Sequence, residues 1–308
     1  MKITYGPVPS RRLGFSLGIN NIPHKVCSYS CAYCQVGRTK EYTIEPRNFY
    51  EPEKIVAEVR TALDEADGKA DYLGFVPDGE PTLDAGLARS LELLRPLGYK
   101  TAVISNGSLI DRPEVRQALC LADWVSLKVD AVDEKTWRRI DRPHRSLSLQ
   151  SILNGHLAFR RVYGGKLVTE TMLAAGINDS EASLAGVADY LAGLQPKIAY
   201  ISIPTRPPAD TRVAPPPEET VNRAYQLFRA KLPVVELLVG YEGNAFAATG
   251  DPENDLLSIT AVHPMRPEAV GDLLERSGAG WEVVRKLLDQ GRLKEVGYGG
   301  NLFYLRKF

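Results

Sequence analysis

With 308 residues, 44% apolar and 25% charged, the chain has the size and composition of a folded globular protein of about two domains, not of a disordered one. Lys plus Arg and Asp plus Glu number 38 each, so a net charge of zero provides no overall field for nucleic acid. Three of the four cysteines fall within eight residues, which speaks against a disulfide framework and for a metal site in a reducing compartment. No apolar run of about 18 residues offers a membrane span, and the first ten residues lack a signal-peptide core. The expected location is cytoplasmic, with no membrane among the partners.

From the N-terminus onward, short apolar runs alternate with segments of helical period. Gly14–Asn20 is the first predicted strand, and the cysteine segment follows it. Pro52–Ala66 places Ile55, Val59, Leu63 and Ala66 on one helix face. Strands at Asp71–Val76, Thr101–Ser105 and Trp124–Val129 are separated by helices over Ala85–Leu94 and Pro113–Leu121. Helices over Glu134–Ile140 and Leu149–Val162 lead to a strand at Leu167–Leu173. A helix over Ser180–Leu194, a sixth strand at Ala199–Ile203 and a helix over Glu218–Lys231 complete the pattern. Strands alternating with helices predict an α/β fold with a parallel sheet, open or closed into a partial barrel. Ligand chemistry then belongs at the C-terminal strand ends.

After the proline-rich loop Pro204–Pro217 the pattern changes near residue 240, which divides the chain into a core at 1–240, a linker at 241–257 and a small domain at 258–308. Within the tail, Leu256–Val262 is expected as a short strand. Helices over Pro267–Arg276 and Trp281–Asp289 follow, and two strands flank the turn Gly299-Gly300-Asn301. That order predicts a winged helix. Its eight bases and six acids are a weak signal for DNA, so a recognition role and a scaffold role both stand. Charge is blocked elsewhere too. Lys135–Lys166 holds eight bases against one acid, and Glu51–Glu92 holds eleven acids against four bases. These blocks are solvated helix faces or, in the basic case, a rim for an anionic substrate.

The chemistry is concentrated in Cys27, Cys31 and Cys34, spaced C-x3-C-x2-C. Three thiolates on one loop suit an iron–sulfur cluster; zinc with His24 as a fourth ligand is the alternative. A four-iron cluster held by three cysteines leaves one iron open, and an open metal position is where a substrate enters. Further polar residues sit at strand ends: Asp78-Gly79-Glu80-Pro81, Asn106-Gly107, Ser126, Lys128 and Asp130 on one strand face, Glu170, and Arg206. An ordinary turn is the alternative reading for each of the first two, and a structural Lys128–Asp130 pair is the alternative for the third. Glu170 serves a ligand or holds Arg142.

The cysteine spacing, with Tyr33 before the last cysteine, resembles the signature of the radical S-adenosylmethionine (SAM) superfamily. The resemblance implies a partial (β/α)6 barrel of TIM type, a [4Fe–4S] cluster on Cys27, Cys31 and Cys34, and SAM chelating the open iron. One electron, from a flavodoxin or ferredoxin, would then cleave SAM to a 5′-deoxyadenosyl radical. Asp78-Gly79-Glu80-Pro81 is similar to the family's G-G-E-P segment, which binds the SAM ammonium, with Asp78 replacing a glycine. Asn106-Gly107 is similar to the family's third-strand segment. Ser126 and Lys128 resemble the S/D-L-K segment that contacts ribose and carboxylate in glycyl-radical-enzyme activases. By this resemblance Tyr33, Asp78, Gly79, Glu80, Asn106, Ser126, Lys128 and Glu170 bind SAM, and Lys128, Asp130 and Glu170 are the candidate catalytic residues. Gly6–Asn20, Gln35–Thr39, Asp141–His144, Gly176–Asp179 and Ala261–Pro264 look like a compact group related to the wyosine-forming tRNA enzymes. Those enzymes carry a second cluster on three more cysteines. Here only Cys120 remains, expected in an apolar core, so wyosine synthesis is not implied. RNA is a candidate substrate, and activation of a glycyl-radical or other protein partner is the alternative. An iron–sulfur DNA-binding sensor is the rival class, but it has no need of Glu80 and Lys128 at strand ends.

Overall fold

The computed structural model describes residues 3–240, 246, 248 and 250–307. One eight-stranded sheet contains β1 (Thr4–Ser10), β2 (Gly14–Ile19), β3 (Tyr72–Phe75) and β4 (Lys100–Ser105), then β5 (Trp124–Lys128), β6 (Lys166–Met172), β7 (Ile198–Ser202) and β8 (Val235–Leu238), hydrogen-bonded in chain order. From β2 onward all pairs are parallel, and the sheet curls into a half-barrel. Seven helices connect or flank these strands: α1 (Pro52–Glu65), α2 (Leu87–Leu94), α3 (Pro113–Leu119), α4 (Glu134–Ile140), α5 (Leu149–Val162), α6 (Glu181–Leu194) and α7 (Glu218–Arg229). Their apolar faces meet the outward residues of the strands. Val125 and Leu127 of β5 join Ile55, Leu91, Phe159, Leu191 and Phe228 in the main core. The inner floor is a separate plug of Leu13, Ala102, Trp124, Val168, Tyr200 and Leu238. That plug fills the barrel beneath the C-terminal strand ends and leaves polar residues above it.

Two strands of this sheet were not expected. β1 runs antiparallel to β2 at the sheet edge, with an irregularity between Tyr5 and Val8. Pro7 and Pro9 read as breakers, yet an edge strand tolerates residues that cannot donate. Tyr5 secures it: its ring lies over Gly18, where a Cβ would come within 2.0 Å, and its hydroxyl donates to Val76 O at 2.7 Å. β8 is a four-residue edge on β7.

Beyond residue 250 come α8 (Pro252–Val262), α9 (Pro267–Arg276), α10 (Glu282–Asp289) and a hairpin of β9 (Leu293–Tyr298) and β10 (Asn301–Arg306). The strand expected at Leu256–Val262 is the helix α8. A short apolar run is ambiguous between the two. Asp251 decides it by accepting from Asn254 N at 3.1 Å, with Pro252 in the first turn. Gly299 and Gly300 take φ of 56° and 76°, as a two-residue hairpin turn requires. The apolar core of this unit, including Leu256, Ile259, Val270, Leu273 and Leu287, is completed by Tyr5 and Val8 of β1. Residues 241–245, 247 and 249 of the expected linker lie outside the described residues.

Candidate active site

The cysteine loop leaves β2 and is held by its own main chain. Ser30 N donates to Asp141 O at 3.2 Å, Ala32 N to Ile140 O at 2.8 Å, His144 N to Ser28 O at 2.9 Å, and Asp210 N to Ala32 O at 3.0 Å. Cys27 pairs with Tyr42 in a short parallel ladder. Gly79 fits where no other residue would: a Cβ there would stand 2.1 Å from Val26 O. The end of β3 and the loop therefore touch backbone to backbone.

A cavity of about 270 Å³ opens at the C-terminal strand ends. Cys27, Cys31, Cys34 and Tyr33 line it on the loop side, and Asp78, Gly79, Glu80, Asn106, Lys128 and Glu170 line it on the strand side. Ser126 and Asp130 are not among its lining residues. The Ser126 hydroxyl is buried without a partner. Asp130 lies behind Tyr33, whose hydroxyl donates to it, and accepts from Met172 N at 2.6 Å. Cys120, expected in the core, is exposed at the end of α3.

Glu80 is almost fully buried. Its carboxylate accepts from Thr82 N at 3.0 Å and Thr82 Oγ1 at 2.6 Å, from Ser105 Oγ at 2.7 Å and from Asn106 N at 2.8 Å. It thus ties the end of β3 to the end of β4. Burial pushes its carboxyl above the usual range against these four donors. Lys128 Nζ donates to Glu170 Oε1 at 3.1 Å, stands 3.7 Å from Asp130, and lies 4.9 Å from the Tyr33 ring centre. Burial lowers its pKa, but the two carboxylates outweigh burial and hold it above its ordinary value. Burial would likewise raise Glu170. Arg12 and Lys128 outweigh it, helped by Ser202 Oγ donating at 2.9 Å, and hold the carboxyl well below its usual range. Glu170 is therefore a fixed anion between two cations.

The sequence left two cavity residues unnoticed. Arg12 pairs with Glu170, and Lys25 Nζ lies 3.2 Å from Cys34 Sγ. An Arg11-Arg12 pair before β2 and a lysine two residues ahead of Cys27 were the available signals. Arg142 does not reach Glu170; it pairs with Asp210 at 2.5 Å.

The donor set suits an iron–sulfur cluster better than a single ion. Burial pushes the Cys27 thiol up to about 12, so the thiolate needs positive charge beside it. The three thiols line one side of a single cavity. A cluster, which gives each thiolate its own iron, meets that arrangement. His24, the would-be zinc ligand, bonds Asp78 Oδ2 at 2.6 Å instead. Asp78 Oδ1 is buried without a partner, an acceptor that suits an ammonium group.

A family model of the radical SAM superfamily matches residues 21–186. The UPF0026 protein MJ1312 of Methanocaldococcus jannaschii is 45% identical over 99% of this chain and 96% of its own length. A solved radical SAM methyltransferase from Sphaerobacter thermophilus shares the fold, with a TM-score of 0.54 and 20% identity over 73% of this chain and 66% of that one. Archaeal TYW1 aligns with a TM-score of 0.48 and 16% identity over 73% of this chain and 74% of that one.

Proposed function

The chain belongs to the radical SAM superfamily and to the UPF0026 family, and on that premise we propose that it is an enzyme that cleaves SAM reductively to modify a substrate brought to the cavity mouth. Members of the superfamily bind a [4Fe–4S] cluster and SAM. A cluster held by the three thiols would supply one-electron reduction of SAM, and through it hydrogen abstraction from a substrate.

The chain's own residues bind and orient. Cys27, Cys31 and Cys34 hold the iron, with Lys25 countering the negative charge beside Cys34. Asp78 and the backbone that Glu80 fixes receive the ammonium of SAM. Lys128, a cation kept charged by its carboxylate neighbours, faces the carboxylate of SAM. Glu170, immobilised by Arg12 and Ser202, accepts from the ribose hydroxyls. Tyr33 is pinned by Asp130 and backs the Lys128 ammonium.

The observation that carries this reading is the convergence of three thiols, Glu80, Lys128 and Glu170 on one cavity at the strand ends. The test is anaerobic: native protein reduced with dithionite in the presence of SAM should yield 5′-deoxyadenosine and methionine, and Cys31→Ala should yield neither. A native protein with its cluster intact that leaves SAM unchanged sinks the reading.

RNA, reached through the cavity mouth, is the first candidate for the substrate class. The C-terminal unit adds little, because Lys286 of α10 pairs with Glu253 at 2.7 Å and Arg292, just before β9, pairs with the same carboxylate. Activation of a protein partner is the alternative, and both depend on an outside electron donor.

A further inference from the structure

The basic stretch is not spent on the cavity; it borders the loop that carries the cysteines. Resting on the radical SAM reading of that cavity, we propose that the face around Tyr42 docks an acidic one-electron carrier protein of flavodoxin or ferredoxin type.

Position is the first argument. The backbone bonds from Ser30, Ala32 and His144 fasten Ile140–His144 directly to the cysteine loop. Asp210, whose own N–H donates to Ala32 O, gathers Arg142 at 2.5 Å and Arg212 at 2.8 Å on one carboxylate. Two guanidinium groups thus share one carboxylate next to the cysteine loop, on the solvent side of the Asp141 that touches Cys31 Sγ at 3.6 Å. A buried redox centre exchanges electrons only with a donor held close, so a carrier must seat against this loop or reach the centre through the cavity mouth, where SAM and substrate bind.

The second argument is the surface itself. Tyr42 stands opposite Cys27 in the ladder, is 41% exposed, and packs edge-on against His144 with ring centres 5.3 Å apart. Its hydroxyl donates to Arg142 O. An exposed aromatic therefore lies one ladder step from a cluster ligand. Arg38, Arg138, Arg139 and Arg145 are exposed on the adjoining segments. Arg138 is met by Glu134 at 2.6 Å, whereas Arg139 reaches a neutral acceptor, Gly176 O, at 3.0 Å. An aromatic flanked by arginines has the composition of an interface centre.

Charge is the third. The whole chain is neutral, while Glu51–Glu92 is strongly acidic and Lys135–Lys166 strongly basic. Such a separation orients an approaching acidic protein and raises its encounter rate without requiring net positive charge. Transfer makes and breaks no bond: the carrier is oxidised by one electron and the cluster is reduced by one.

The test uses the full chain with its cluster reconstituted anaerobically, without SAM, and a flavodoxin hydroquinone as the probe. Stopped-flow bleaching of the cluster absorbance gives the second-order rate constant. The native rate should fall as salt rises, and Arg38→Glu/Arg139→Glu/Arg145→Glu should lower it at low salt by at least about tenfold. The equal charge change Lys54→Glu/Arg60→Glu/Lys69→Glu, placed in the acidic stretch, should leave it within about twofold. Titration with dithionite should give the same reducible cluster content in all three proteins. Equal rates in the two triple variants, or a salt-independent native rate, overturn the proposal. Filter binding with mixed tRNA separates the rival occupant: lost tRNA retention with unchanged flavodoxin reduction assigns the face to RNA and overturns the proposal as well. Failure of the underlying enzymatic reading shows elsewhere, as native protein that forms no 5′-deoxyadenosine with dithionite and SAM.

Discussion

At the residue scale, the thiols and the strand-end charges make separable predictions. Replacing Cys27, Cys31 or Cys34 with Ala should remove nearly all iron, whereas Cys120→Ala, exposed at the end of α3, should keep it; iron and sulfide analysis decides. Glu80→Ala and Lys128→Ala should keep the cluster and weaken SAM binding. Lys128→Ala loses a charge-assisted contact of about 1.5–3 kcal/mol, roughly tenfold to a hundredfold in affinity by anaerobic calorimetry; Glu80→Ala frees the ends of β3 and β4 that present Asp78 and should lower affinity in the same assay. A pH effect belongs to a residue outside the cavity. His156 is buried with neither ring nitrogen partnered, and burial lowers its pKa from 6.5 to about 4. Below pH 6.5 the unfolded chain binds a proton that the fold refuses, so stability falls as pH drops from 6.5 toward 4. His156→Phe should flatten that limb of the stability–pH curve measured in urea, and an unchanged limb rejects the account. The cysteines' place at the cavity was legible because three thiols share eight residues, and that of Glu80 and Lys128 because they end apolar runs. Arg12 was not legible: its partner Glu170 is 158 residues away, a pairing that only the curl of the sheet creates.

At the element scale, most of the βα core was legible because each strand is a short apolar run and each helix has a continuous buried face. The misses share a cause. β1 carries prolines that an edge excuses, and β8 is too short to announce itself. α8 was mistaken for a strand because Leu256–Val262 has no visible period, while the deciding signal, Asp251 with Pro252, lies just upstream. Asp251→Ala should destabilise α8 by about 1 kcal/mol, seen as faster amide exchange there than in α9. The contact between β3 and the cysteine loop makes a sharper prediction. Gly79→Ala puts a methyl into Val26 O, a backbone atom that cannot swing aside as a side chain would. Iron content should drop although no ligand has changed, and full iron occupancy in this variant counts against the backbone contact.

At the scale of the whole molecule, the C-terminal unit and the barrel share material. Tyr5 and Val8 lie in the tail's core, Gln35 Nε2 donates to Val262 O at 2.9 Å, and Arg206 bonds both Gln35 and His263. A chain ending at Asp251 should therefore expose β1 and lose its closure beside Cys34. We expect aggregation on gel filtration or a lowered iron content, whereas a monodisperse truncation with full iron and uncoupled SAM cleavage would make the tail a detachable recognition module. The cysteine loop has a different dependence. Its shape is set by backbone hydrogen bonds to Ile140–His144 and Asp210, none of which uses a cysteine thiol. That frame keeps its own bonds when the thiols give up what they hold, so iron removed by a chelator should be restored by added iron and sulfide without unfolding the chain.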